Sequence, residues 1–157
     1  MSGVALRPIE DCDLDALFEQ MRDPESVWMA AFTPKDPNDR GAFDAHMAKL
    51  RGSSDITLRA VTRDGRLVDS IASFVIEGDT EVTYWIDRAV WGCGIATRAL
   101  ALFLDLIPVR PLHGRAASDN AGSLGVLQKS GFTVVGTETS FASGRNAEIE
   151  ETILRLD

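Results

Sequence analysis

WIDRAVWGCGIATRAL, residues Trp85 to Leu100, carries a strand-like pattern through two closely spaced glycines, Gly92 and Gly94, into an apolar helical stripe. A strand that enters a helix through a glycine loop leaves the first backbone N–H groups of the helix unpaired, and the positive end of the helix dipole points the same way. Glycine at those positions lets the backbone bend and lets an anion approach without a Cβ in its path. Two readings stand at this point, a tight strand-to-helix turn and an anion cradle, and Gly-x-Gly alone does not choose between them. No Lys-Ser/Thr pair follows, so the loop is not a P-loop.

Upstream of this stretch the apolar period is two. DITLRAVT (55–62), RLVDSIASFVI (66–76) and TEVTYWI (80–86) alternate and are separated by the turns RDG and EGD, which predicts an antiparallel meander. Along the third of these strands Glu81, Thr83 and Trp85 share one face, and Val82, Tyr84 and Ile86 share the other. Downstream, Ile95, Ala99, Phe103, Leu104 and Ile107 form a helical stripe that stops before Pro108. PLHGRAAS reads as a strand and NAGSLGVLQKSG as a short helix with Asn120 near its cap. FTVVGTETSFA and EIEETILRLD finish as strands.

Before the meander, VALRP is a strand, Leu14, Leu17, Phe18 and Met21 mark an amphipathic helix, and Pro24, Pro34 and Pro37 break the chain around SVWMAAF. DRGAFDAHMAKLRG is a further helix with Phe43, Met47 and Leu50 inward and Gly52 past its end. The predicted order is β-α-α-β-β-β-α-β-α-β-β. There is no internal repeat, low-complexity segment or linker, and a chain of 157 residues with 45% hydrophobic content fits one domain over residues 1–157.

A formal net charge of −8 argues against broad contact with nucleic acid or an anionic membrane, and leaves cationic acceptors such as amines or basic peptides. Cys12 and Cys93 belong to no Cys/His array, so neither a metal site nor a disulfide framework is expected. The beginning MSGVALRPIEDCD lacks the features of a signal peptide, and no uncharged run approaches the roughly 18 residues of a membrane span. These features lead to the expectation of a soluble cytoplasmic protein.

YWIDRAVWGCGIATRAL resembles the acetyl-coenzyme A motif of the GNAT superfamily of N-acetyltransferases, Gln/Arg-x-x-Gly-x-Gly/Ala at the entrance of a central helix. Trp91 stands where Gln or Arg is usual, followed by Gly92, Cys93, Gly94, Ile95 and Ala96. NAGSLGVLQKSGF is similar to the second motif of the branch that acetylates ribosomal-protein N-termini, through Asn120, Ser123, Leu127, Lys129, Gly131 and Phe132. The departure is Cys93 in place of a basic residue, which removes a charge near the pyrophosphate. The resemblance covers essentially the whole chain. It implies an α/β GNAT fold: a mixed, mostly antiparallel central sheet with helices on both faces and a splay between the fourth and fifth strands.

It also implies acetyl-coenzyme A as acyl donor and a primary amine, small or at the end of a peptide, as acceptor. Trp85, Ile86 and Asp87 would face the pantetheine arm, the backbone from Gly92 through Thr97 would hold the pyrophosphate, and Trp91 would line the entrance. Asn120 and Ser123 would reach the thiol end. Amine acetylation needs a neutral amine, and Glu81 occupies a position where many members carry a catalytic glutamate, acting through water, the alternative being a solvated strand-edge carboxylate after a turn. Many relatives place a general-acid Tyr where this chain has Leu127; Ser123 is the substitute the resemblance suggests, the alternative being a hydroxyl that satisfies the first helical turn. Trp28, Met29 and Phe32 either floor an acceptor pocket, as this region does in the family, or pack the helices together. Tyr84, the only tyrosine, is assigned to the core, and His46 and His113 to structural roles. A non-catalytic acyl-coenzyme A sensor with the same fold is the competing reading, and either a monomer or a homodimer fits.

Overall fold

The computed structural model describes residues 3–157. In chain order the elements are β1 (Val4–Arg7), α1 (Leu14–Met21), α2 (Pro24–Ala30), α3 (Arg40–Gly52), β2 (Thr57–Arg63), β3 (Arg66–Ile76), β4 (Asp79–Ile86), α4 (Ile95–Leu106), β5 (Leu112–Ala117), α5 (Ala121–Lys129), β6 (Thr133–Ala142) and β7 (Ala147–Leu156). The strands form one seven-stranded sheet in the order β1-β2-β3-β4-β5-β7-β6. Every neighbouring pair is antiparallel except β4 and β5, which are parallel and joined by α4 as a crossover. The α/β fold with a mixed sheet is the one the sequence implies.

The proline-broken region departs from the expected order by one helix. Pro24 occupies the first turn of α2, where its missing N–H has no intrahelical partner to lose, and the Asp23 side chain caps the helix by accepting from Ser26 N at 3.0 Å. Gly52 lies inside the last turn of α3 instead of past it.

Helices cover both faces of the sheet. On one face Ile95, Ala99, Leu100 and Phe103 of α4 and Leu127 of α5 pack on Val61, Ile71, Val82, Ile86 and Leu112. On the other, Leu17 of α1 and Met47 of α3 pack on Leu58, Ala60 and Ala72. The stripe at helical spacing and the alternation at strand spacing thus meet as two apolar layers against one sheet. Gly114 of β5 sets how close α5 comes: a Cβ there would lie 2.8 Å from a Leu127 methyl carbon, so a larger residue would make the Leu127 side chain shift. Among the described residues, no helix is long and apolar enough to cross a membrane.

One buried group is a cost to the fold. Asp69 of β3 sits where the β2–β3 register shifts, at φ 120° and fully buried. Its Oδ1 accepts from the Ser70 hydroxyl at 3.0 Å, while Oδ2 has no partner. Burial raises the Asp69 pKa well above the usual carboxylate range, against the Ser70 hydrogen bond and with some help from the charge of Asp87. The folded state therefore holds this proton at pH values where the unfolded chain has released it, so stability present at acid pH is lost as pH rises above the unfolded value near 3.9. Asp69→Asn should remove that loss. In denaturant titrations its unfolding free energy, compared with the parent, is expected to rise as pH goes from 4 to 7, with a limiting slope of about 1.4 kcal/mol per pH unit. A difference that stays constant with pH would contradict the assignment.

Candidate active site

The parallel β4–β5 pairing lasts three residues, Thr80↔Leu112, Glu81↔His113 and Val82↔Gly114. Beyond that point β4 stays with β3 as far as Ile86, and β5 stays with β7 as far as Ala117. The strands part, and the edge of β4 that faces β5 has no strand partner from Thr83 onward. A cavity of about 870 Å³ opens in the gap.

Its far wall is the entrance of α4. Gly92 and Gly94 have φ of 78° and 75°, and Gly94 is an N-cap without a side-chain hydrogen bond. The first backbone bond of the helix runs from Arg98 N to Gly94 O, so the N–H groups of Ile95, Ala96 and Thr97 have no partner within the helix. Nothing lies within 4 Å of where a Gly92 Cβ would be. Gly92, Gly94, Ile95, Ala96 and Thr97 all line the cavity, as do Trp85, Ile86 and Trp91. The Trp91 indole N–H donates to Ile86 O at 2.8 Å and ties this loop to the end of β4; the Trp85 indole N–H donates to Gln20 O of α1 at 3.3 Å. Open space, unpaired N–H groups and a helix N-terminus are the features that a diphosphate requires, so the loop fits the group that the motif implies.

Two residues of the sequence-derived set stand outside the lining here. Asp87 turns away to cap the short 3₁₀ turn Arg88–Val90, accepting from Ala89 N at 3.1 Å. The Cys93 thiol points back toward Trp91 O.

The α5 side of the gap is built around Asn120. Its side-chain oxygen accepts from Ser123 N at 3.2 Å and its amide donates to Met29 O at 3.2 Å, so one residue caps α5 and holds the end of α2. The Ser123 hydroxyl lies 2.8 Å from the Tyr84 hydroxyl, which also reaches Ser123 O at 3.2 Å. Tyr84 does share the face of Val82 and Ile86, opposite Glu81. It nevertheless lines the cavity beside Ser123, where the sequence reading assigned it to the core. Burial pushes its pKa up to about 12 against the opposing Ser123 hydrogen bond. Leu127 is buried against Gly114 and belongs to the core.

Glu81 lines the other face and is only 6% exposed. Its Oε1 accepts from Arg115 Nε at 3.1 Å, and Arg115 Nη1 reaches Glu138 at 2.5 Å and Glu151 at 3.4 Å. Sequence reading missed Arg115, Glu138 and Glu151. Each alternates correctly on its own strand, but their meeting depends on β7 inserting between β5 and β6. Glu151 is half-buried, and burial raises its pKa in spite of the opposing Arg115 charge. On this side α2 supplies Met29 and Ala30 to the lining, followed by Phe32. Trp28 does not join them: it is 55% exposed and lies under the Arg145 guanidinium, 4.4 Å from the ring centre.

The sequence model of the family described as acetyltransferase (GNAT) domain matches residues 4–133. No curated protein sequence matches the chain. Among solved structures, RimJ of Mycobacterium smegmatis with a coenzyme A disulfide superposes with a TM-score of 0.83 at 21% identity, over 98% of this chain and 81% of that one. RimL, a ribosomal L7/L12 α-N-protein acetyltransferase with coenzyme A, gives 0.81 at 15% identity, over 98% and 94%. The microcin C7 self-immunity acetyltransferase MccE, with acetyl-coenzyme A and AMP, gives 0.82 at 13% identity, over 99% and 93%.

The cradle is testable with a matched control. Gly65, in the β2–β3 turn, has φ 80° and, like Gly92, open space around its missing Cβ. Gly92→Ala and Gly65→Ala should each cost roughly 1–2 kcal/mol of stability through left-handed backbone strain. Only Gly92→Ala should weaken coenzyme A binding in calorimetry, by tenfold or more. Equal affinity in the two variants would remove Gly92 from the cradle.

Proposed function

The chain belongs to the GNAT family of acetyltransferases, and on that premise we propose that it moves the acetyl group of acetyl-coenzyme A to a primary amine by direct attack in the gap between β4 and β5. The observation that carries this reading is the truncated β4–β5 pair, which opens onto the glycine-lined entrance of α4 with Glu81 on one face and the Ser123–Tyr84 pair on the other.

Acetyl-coenzyme A supplies, when bound, a thioester carbonyl for the amine to attack and a thiolate leaving group. The Gly92–Thr97 backbone would hold the diphosphate end, and the β5-facing edge of Thr83–Ile86, which lacks a strand partner and where Ile86 O already accepts from Trp91, would offer its remaining backbone groups to the amide-bearing arm. Unpaired N–H groups at the splay also stabilise negative charge on a carbonyl oxygen.

An α-amino group with a pKa near 7.7–8.0, or a lysine near 10.4, is mostly protonated at neutral pH. Glu81 accepts that proton through a water molecule at Oε2, while Arg115 holds Oε1 and fixes the plane of the carboxylate. On the sulfur side, a thiolate resembling that of cysteine has a pKa near 8.5, whereas the Tyr84 hydroxyl ionises at about 12. Full proton transfer from Tyr84 would run uphill. With the Tyr84 O–H directed at Ser123, the Ser123 hydroxyl is the one free to donate a hydrogen bond toward a departing sulfur, which at a cysteine-like pKa would need no strong acid.

The α2 side, with Met29, Ala30 and Phe32 above the Glu81 face, forms the acceptor wall. Glu81, Glu138 and Glu151 outnumber the single Arg115 there, which suits a cationic acceptor: a protein N-terminus, a free amino acid or polyamine, or an aminoglycoside-like amine. The core position of Leu127, where many relatives have a tyrosine acid, favours the second reading of an acyl-coenzyme A sensor. Saturable cofactor binding without transfer to any amine of a broad panel would establish that alternative.

Glu81→Gln should leave coenzyme A affinity unchanged and lower turnover by roughly 10²–10⁴-fold at neutral pH. The deficit should shrink as pH approaches the pKa of the amine, where deprotonated acceptor is abundant. Parent-level turnover at neutral pH, measured under conditions where chemistry limits the rate, would remove Glu81 as the base.

A further inference from the structure

We propose that Arg145, which lies outside the cavity in the β6–β7 turn, is a positioning residue that holds the acceptor wall and the Ser123 side of the site in register with one another. The proposal rests on the reading of α2 as the acceptor wall.

The Arg145 side chain is 7% exposed and uses its whole fork. Nε donates to Trp28 O at 2.6 Å, Nη1 and Nη2 donate to the two carboxylate oxygens of Asp119 at 2.8 and 2.9 Å, and the guanidinium plane covers the Trp28 indole. The neighbouring Gly144 N donates to Ala31 O at 2.8 Å, and a Cβ on Gly144 would overlap the carbonyls of Val27 and Ala31. Asn120, next to Asp119, donates to Met29 O.

These contacts matter at the C-terminal end of α2, because the Arg88–Asp23 pair holds only its start and the apolar support at its end is the small Ala31, Ala117 and Ala142 cluster. The helix is seven residues long, far short of what is stable alone, and Ser26 is its one buried residue. A helix end leaves its last carbonyls without intrahelical donors. At the end of α2 the carbonyls of Trp28 and Met29 receive theirs from Arg145 and Asn120, and that of the C-cap Ala31 from Gly144 and Thr33. Met29 and Phe32 face the cavity from the same turn that Arg145 holds.

Asp119 extends the clamp in the other direction. Arg145 holds its carboxyl below the usual range by hydrogen bonding, and Asn120 follows directly, capping α5 and placing Ser123 against Tyr84. One guanidinium thus ties together the β6–β7 turn, the end of α2 and the loop that carries Asn120. Lysine has the charge but neither the bidentate fork nor the flat face that stacks on indole.

The test uses Arg145→Lys and Arg145→Met in the full chain, with two readouts. The first is amide hydrogen exchange. The amides of Ala31, Gly144 and Ser123 should lose protection at least tenfold in both variants, with the β2–β3 amides unchanged. Retained protection, a parallel loss throughout the sheet, or parent-like behaviour of Arg145→Lys would each overturn the proposal. The second is steady-state kinetics with the best parent acceptor among a Ser-Ala-initiated peptide, spermidine and kanamycin. Acceptor KM should rise tenfold or more while the coenzyme A dissociation constant stays within twofold. Equal losses in acceptor and cofactor affinity would reduce Arg145 to general support. If the parent acetylates none of these amines, the functional reading is what fails, and the exchange data still decide whether the clamp exists.

Discussion

The sheet contains one parallel pair, and it stops after three residues. Everything at the site follows from that early stop. Past Val82 and Gly114, β4 and β5 are each held by their other neighbour and cannot re-approach: α5 seats on Gly114 through Leu127, and the Ser123–Tyr84 contact spans the mouth of the gap. Backbone N–H and C=O groups withdrawn from water need partners. A strand edge left open beside an uncapped helix start is therefore a slot for a ligand with its own amides at one end and negative charge at the other. The fold spends sheet pairing to keep that slot.

The two faces of the same strand then acquire opposite chemistry through period-two alternation alone. Val82, Tyr84 and Ile86 look into the apolar layer under α4 and α5, where a hydroxyl pair is sheltered. Glu81 and Trp85 look toward α1 and α2, where Arg115 gathers three glutamates from β4, β6 and β7. An amine arriving from the second face and a thioester threaded through the gap would meet at the strand itself. The acid excess of this second face agrees in sign with the net charge of −8.

Much of this was legible before folding because the signals are local. Alternation placed β2, β3 and β4 within one or two residues, the 95–107 stripe located α4, and Gly92 and Gly94 announced the left-handed turns found at both. What escaped depends on distant partners. Tyr84 looked like core because its face is apolar; its hydroxyl finds Ser123 only once α5 crosses the gap. Arg115, Glu138 and Glu151 sit on three strands whose adjacency reverses chain order. The family resemblance of this region offers Trp28, with Met29 and Phe32, as either pocket floor or helix packing, but one helical step carries Trp28 around to Arg145. The helix α2 itself was readable from Asp23 and Pro24, a cap followed by proline at the first helical position, yet its seven residues are too few for a periodic signal.

On the proposed reading, coenzyme A occupies the open edge of β4 and the entrance of α4. An NMR titration of isotope-labelled protein with coenzyme A tests it most directly. At saturation the largest amide shifts are expected within Thr83–Ile86 and Gly92–Thr97, with β1 and β2 little changed. Saturable binding whose largest shifts lie elsewhere, or no binding at millimolar coenzyme A, would contradict it.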